Sequence, residues 1–162
     1  MYFDKKFYNN RRESDYSSRK NFYRSPYPNR YSRDRGPNPY VTNIREATLC
    51  NNTFRTALWT GEYLQLTLMS IDVNDDIGLE MHPDVDQFLR LEQGQGLVKM
   101  GTDKNNLCYQ KNVSKDYVIF IPAGTWHNLI NTGNTPIKLY SIYAPPNHPH
   151  GTVHVTKEDE EH

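Results

Sequence analysis

Aliphatic side chains are missing from the first quarter of this chain. No Leu, Ile, Val or Ala occurs before Val41. A segment so poor in them cannot bury enough apolar surface to offset the entropy of ordering, so residues 1–39 are expected to be a disordered tail. Cysteine is scarce as well. Cys50 and Cys108 are the only two and lie far apart, which argues against a disulfide-stapled scaffold and for two free thiols. No apolar run approaches the ~20 residues a membrane-spanning helix needs. The stretch Met1-Tyr2-Phe3-Asp4-Lys5-Lys6 has no apolar core after its charges, so no secretory signal is expected. On those grounds the expected location is the cytoplasm, and no membrane partner is expected.

Net charge is also lacking, with 19 basic and 19 acidic residues among 162. The balance hides an asymmetry. Residues 1–40 hold ten Lys/Arg and four Asp/Glu, a net of +6, and the remainder carries −6. The length fits one domain after a basic tail. Seven of the twelve tyrosines lie at or before Tyr40, interleaved with arginine. Arg and Tyr can stack on bases, contact phosphates or pair with one another, so the tail is compatible with nucleic-acid binding or with self-association in a spore-coat-like layer. Nucleic-acid binding is the weakest of these readings, because composition alone carries it.

Order is expected from residue 40 to 156, with 157–162 as an acidic end that reads as helical over Lys157–Glu161. Asn43-Ile44-Arg45-Glu46-Ala47 reads as a short helical turn capped by Asn43. From Phe54 the pattern turns to β. Leu64, Leu66 and Leu68 alternate with Gln65, Thr67 and Met69, as in a half-buried strand. Phe88–Glu92 and Leu97–Met100 flank Gln93-Gly94-Gln95-Gly96 and read as a hairpin, as do Trp126–Ile130 and Ile137–Tyr143 around Asn131-Thr132-Gly133-Asn134. Leu107–Gln110 and Tyr117–Ile121 are further strand candidates. Short strands at regular spacing with Gly and Asn turns point to an all-β sandwich or small barrel.

Two short motifs carry the chemistry. The first runs Glu80-Met81-His82-Pro83-Asp84-Val85-Asp86-Gln87 and then reaches Gly94. The second runs from Asp116 through Pro122-Ala123-Gly124-Thr125-Trp126-His127 to Asn131. Positions i and i+2 of a strand share a face, so Glu80 and His82 project together. Gln87 and His127 can return to the same cavity from neighbouring strands. Two imidazoles, a carboxylate and an amide oxygen form a mixed N/O set that suits a divalent transition metal such as Mn, Fe, Ni or Zn and lacks the thiolates of structural zinc.

These residues resemble the cupins. That family's second motif, Gly-x5-Pro-x-Gly-x2-His-x3-Asn, is matched from Pro122 through Gly124 and His127 to Asn131, with Asp116 in the place of the leading Gly. The first motif is matched in spacing, with His82 and Gly94 in place, Glu80 standing for the first His, Gln87 for the Glu, and Asn74 for the leading Gly. The resemblance covers roughly residues 41–155. Within the family it is similar to small single-domain bacterial proteins often labelled mannose-6-phosphate isomerase-like. It implies a jelly-roll (double-stranded β-helix) barrel with metal near its centre, frequently a homodimer. It also implies a small sugar-like or oxygen-rich ligand, with isomerase-like or dioxygenase-like chemistry; a non-catalytic small-molecule-binding cupin is the alternative. No catalytic base is identified.

Further residues are candidates for binding substrate. Tyr140 and Tyr143 lie on one strand that could present phenols to the cavity. Arg90, Lys99 and Lys138 are the basic residues of the strands from Leu64 to Tyr143, and one facing inward would favour an anionic ligand. His148 and His150 could sit at the cavity mouth as proton donors, and His154 belongs to the same segment. A slip of one residue would turn any of these to the opposite face.

Overall fold

A computed structural model describes residues 30–161. Most of the expected tail, residues 1–29, lies outside the described residues. Among the described residues the helix α1 (Ile44–Cys50) comes first, and Asn43 caps it by accepting from the Glu46 N–H at 3.1 Å. Nine strands follow: β1 (Arg55–Thr60), β2 (Gln65–Ile71), β3 (Asp86–Gln93), β4 (Gln95–Gly101), β5 (Tyr109–Ser114), β6 (Val118–Ile121), β7 (Trp126–Asn131), β8 (Ile137–Ala144) and β9 (Val153–His154). A 3-10 turn, Lys157–Glu161, ends the described chain. One sheet has the order β6-β3-β8-β2-β1-β9 and the other β5-β4-β7. Every strand pairing is antiparallel. This is the expected all-β jelly-roll.

Both expected hairpins are corners instead. β3 pairs with β6 and β8, whereas β4 pairs with β5 and β7. Gly94, at φ 89°, therefore passes the chain from one sheet to the other. The same holds at 132–136, where β7 and β8 belong to different sheets. Asn131 secures that corner: its Nδ2 donates to the Ile71 and Thr135 carbonyls at 3.1 and 2.9 Å, and its Oδ1 accepts from Gly133 N–H. Turn chemistry reports a reversal of the chain but not which strand it will pair with.

Inward positions of the sheets divide the barrel along its axis. Ile71, Leu91, Ile137, Leu139, Val98 and Leu129 fill one end as an apolar core. Toward the other end the same strands present Thr67, Gln87, Ser141 and Tyr143, all buried. β2 departs from the half-buried expectation, because both of its faces are covered. Leu66 and Leu68 lie outside the barrel in a second apolar cluster with Leu58, Tyr31 and Ala47 of α1, while Gln65, Thr67 and Met69 face inward.

The family's leading glycines are replaced at Asn74 and Asp116, and both sit at positive φ, 65° and 73°. Asn and Asp are the side-chain-bearing residues that adopt this region most readily. The two departures from the motif thus preserve its backbone shape.

The tail boundary expected at residue 39 falls inside the ordered part. Tyr31 and Asp34 are buried, the Arg35 N–H donates to Leu58 O at 2.9 Å, and Trp59 Nε1 donates to Asn38 O at 2.8 Å. Polar anchoring, which aliphatic content does not report, holds this segment. The Asp34 carboxylate accepts from Gly36 N–H, Thr60 N–H, Thr60 Oγ1 and Gly151 N–H within 2.6–3.0 Å. It thereby ties the entry segment, β1 and the segment after β8 together.

Burial alone would raise the Asp34 pKa. The hydrogen bonds from Thr60, Gly151 and Gly36 outweigh it and hold the carboxyl below its ordinary value. Its contribution to stability is therefore complete above the ordinary carboxylate pKa and fades as pH falls through the lower, folded-state value. Asp34→Asn is expected to cost about 2 kcal/mol at pH 7. Chemical denaturation at pH 7 and pH 3 checks both points, since the gap between parent and variant should narrow at pH 3. At Asp116, replacement by Gly should stay within about 0.5 kcal/mol of the parent and replacement by Val should cost about 1–2 kcal/mol; equal stabilities would refute the strain argument.

Candidate metal centre

The two motifs meet through the backbone. Glu80 and His127 form an antiparallel bridge, with Glu80 N–H donating to His127 O at 3.0 Å and His127 N–H to Glu80 O at 2.9 Å. Gly124 N–H donates to His82 O at 2.8 Å, at a left-handed φ of 77°. Asp86 Oδ1 accepts from Ala123 N–H at 2.9 Å. The Pro122-Ala123-Gly124 turn is thus held against residues 80–86, and the side chains of both motifs share one space.

Potential ligand atoms of Glu80, His82 and His127 all lie within 4.8 Å of one another. Glu80 Oε1 is 3.2 Å from His127 Nε2 and 3.5 Å from His82 Nε2. Two ligands at right angles around an ion at ~2.1 Å stand ~3 Å apart, so this spacing suits a shared cation. Tautomer chemistry points the same way. His127 Nδ1 lies 2.9 Å from the Thr125 carbonyl, which can only accept. The proton of a neutral ring is then on Nδ1, and the Nε2 lone pair faces the Glu80 carboxylate. Two lone pairs in that position need a proton or a metal ion between them.

Gln87 enters from β3, buried, with Nε2 donating to Ser141 Oγ at 3.0 Å. Its Oε1 and His82 Nε2 are buried atoms without a hydrogen-bond partner among the described residues. Buried acceptors are rarely left this way, and both are lone-pair donors suited to a metal. The residues present fit a divalent ion.

The electrostatics set charge at the centre and neutrality around it. Burial opposes the charge on Glu80, but the His127 and His82 rings beside it and the charge of Arg55 hold its carboxyl well below the usual carboxylate range. Tyr143, fully buried, is pushed up by desolvation and stays protonated. His148 is pushed down to about 3 by burial and by the charge of Arg55, so it is a neutral imidazole at pH 7. The rings form a chain: His82 to Tyr143 at 5.8 Å between centroids, Tyr143 to His148 at 5.1 Å, and His148 to His154 at 6.1 Å. Gln65 fixes His148 by accepting from its N–H at 2.9 Å and donating to its carbonyl at 2.8 Å.

Of the residues expected to bind substrate, Tyr143 and His148 reach this space, and Arg90, Tyr140, His150 and Lys138 do not. Arg90 lies on the outer face of β3, three residues from Gln87, and pairs there with Glu92 at 3.2 Å and Asp116 at 3.4 Å. Tyr140 lies outside too, packed against the outer cluster, because an odd separation from Tyr143 puts it on the opposite face. His150 is turned to the entry segment, 2.9 Å from Gly36 O. Lys138 also points outward, where its Nζ donates to Asn51 O and Asn52 Oδ1. The inward cation is Arg55, at the start of β1 and 1% exposed. Its signal was an arginine inside a strand otherwise carrying Ala57, Leu58 and Trp59.

The fold and this site define a class, and comparison with known proteins agrees: the chain belongs to the cupins. The cupin domain family matches residues 67–143. Among its relatives is the uncharacterized protein YrkC of Bacillus subtilis, 65% identical over 138 residues that span 84% of this chain and 74% of that one. The uncharacterized protein L612 of Acanthamoeba polyphaga mimivirus is 42% identical over 73% of this chain and 72% of its own. The crystal structure of BH2720 from Bacillus halodurans superposes with a TM-score of 0.79 at 63% identity, over 80% of this chain and 98% of that one. Among the described residues no helix is long and apolar enough to cross a membrane.

Glu80→Gln separates the charge of the centre from its packing. An amide can donate to His127 Nε2, so metal-free stability should change by less than about 1 kcal/mol, while metal retention is lost. Thermal unfolding of metal-free protein and elemental analysis read the two effects; a large fall in metal-free stability would show that the carboxylate is structural.

Proposed function

We propose that this cupin binds a divalent transition metal through Glu80, His82, Gln87 and His127 and acts on a small oxygen-rich metabolite, by isomerase-like or dioxygenase-like chemistry. The observation that carries the reading is the His127 Nε2 lone pair facing the Glu80 carboxylate at 3.2 Å, fixed there by the Thr125 carbonyl. Bound in this place, a metal would polarise a substrate carbonyl or acidify a bound water.

The chain's own residues prepare the surroundings for that chemistry. Glu80 is the one anionic member of the proposed set, so it lowers the charge of a divalent ion without cancelling it. Tyr143 keeps its proton at Oη and can donate it as a hydrogen bond to a ligand oxygen. His148 stays neutral and supplies a polar ring without adding charge. The apolar core at one end of the barrel lowers the local dielectric, which strengthens each electrostatic contact beside it.

Elemental analysis of protein purified without added metal tests the reading. Near-stoichiometric Mn, Fe, Ni or Zn in the parent, lost in a folded His82→Ala/His127→Ala double variant, is the expected result. A parent without metal that takes up neither Mn2+ nor Zn2+ on titration would overturn it.

A further inference from the structure

Arg55 is a cation buried on the inward face of β1, 1% exposed. Its register partners are Met69 on β2 and His154 on β9, which places it on the inward face. Nη2 lies 3.6 Å from Met69 Sδ, a weak acceptor. Nε is buried and makes no hydrogen bond among the described residues, and Nη1 faces the Glu160 carboxylate. Its charge is felt by Glu80, Tyr143, His148 and His154. A guanidinium offers a planar fork of donors matched to a carboxylate, and here one nitrogen is unpartnered and another meets only a thioether.

Its ion-pair partner among the described residues is Glu160, from the 3-10 turn at the end of the chain, through Nη1. The two partners are held very differently. The Arg55 side chain is 1% exposed and that of Glu160 22%. The turn carrying Glu160 is anchored by Lys157 to Asp75 and Asp76 and by Asp159 Oδ2, which accepts from the Val155 and Thr156 N–H groups. Those anchors do not involve Glu160, so its side chain can leave while the turn stays in place.

We propose that Arg55 is the anion-recognising residue of the barrel cavity, that Glu160 occupies it when no ligand is bound, and that the ligand is a small molecule bearing a carboxylate. The inference rests on the barrel interior being the ligand site proposed above. Glu160 supplies the chemical template, since Arg55 is already matched to a carboxylate. Charge supports it too. A divalent metal and Arg55 outweigh Glu80, which leaves the cavity positive and receptive to an anion. Displacing Glu160 frees it to the solvent without leaving Arg55 unpaired.

Calorimetric titration of the full-length protein as purified, with malonate, malate and inorganic phosphate as probes, tests this. If Glu160 holds Arg55 about 90% of the time, Glu160→Gln binds the carboxylate probes about tenfold more tightly than the parent. Arg55→Lys weakens that binding, because it keeps the charge but loses the fork, and Arg55→Met abolishes it. Should Arg55→Met fail to fold, the Glu160→Gln and Arg55→Lys pair decides. The inference is overturned by equal affinities in the parent and Glu160→Gln, by undiminished binding in Arg55→Lys, by tighter binding of phosphate than of either carboxylate, or by no binding to any form. Elemental analysis of the same samples separates the two readings. Arg55-dependent binding in protein that holds no metal sinks the metal reading alone, and metal-loaded protein whose binding ignores Arg55 sinks this one alone.

Discussion

The reciprocal backbone hydrogen bonds between Glu80 and His127 are the contact on which the centre depends. Each residue brings one candidate ligand, and the bridge fixes their separation before any side chain is considered. The left-handed Gly124, donating to the His82 carbonyl, extends the same seam by one turn. Thr125 then uses its carbonyl to choose the tautomer of His127. A site built in this way is set by main-chain geometry and does not rely on flexible side chains finding one another, which is the condition for a preorganised centre.

The barrel supports this seam by dividing its interior. One end is closed by aliphatic side chains of both sheets, and the other carries buried hydroxyl, amide, imidazole and guanidinium groups, several with atoms that have no hydrogen-bond partner among the described residues. Packing alone does not favour such an arrangement, because each unpaired buried polar atom costs free energy. The outer cluster under Tyr31 and α1 offsets that cost with apolar burial remote from the chemistry. The protein thus has two cores, one that stabilises and one that accommodates a site.

Much of this was legible in the sequence. The second motif, with Pro122, Gly124, His127 and Asn131 in place, is enough to anticipate the barrel, and the Asn43 cap and the strand ending at Pro122 follow from local chemistry. The errors share a physical cause, in that sequence displays periodicity but not partners. Gly94 and the Asn131 corner read as hairpins because a turn into the opposite sheet uses the same residues as a turn back. The leucines of β2 marked a buried face without showing that its polar face was buried too. Arg90 and Tyr140 were drawn to the cavity by their chemistry, though each stands an odd number of residues from an inward-facing neighbour. Arg55 was overlooked because its place in the wall depends on pairing with Met69 and His154, one of them nearly 100 residues away in the chain. The order of residues 30–39 was hidden for another reason: Asp34 supplies by hydrogen bonding what the composition lacks in aliphatic area.

The strand β9 has only two residues, and it forms the border of the large sheet beside Arg55. A ladder that short is the cheapest part of such a sheet to open, and local openings of this kind occur far more often than global unfolding. Peeling Val153 and His154 from β1 would uncover the backbone edge at Arg55 and Thr56 while leaving the Glu80–His127 seam untouched, since that seam belongs to other elements.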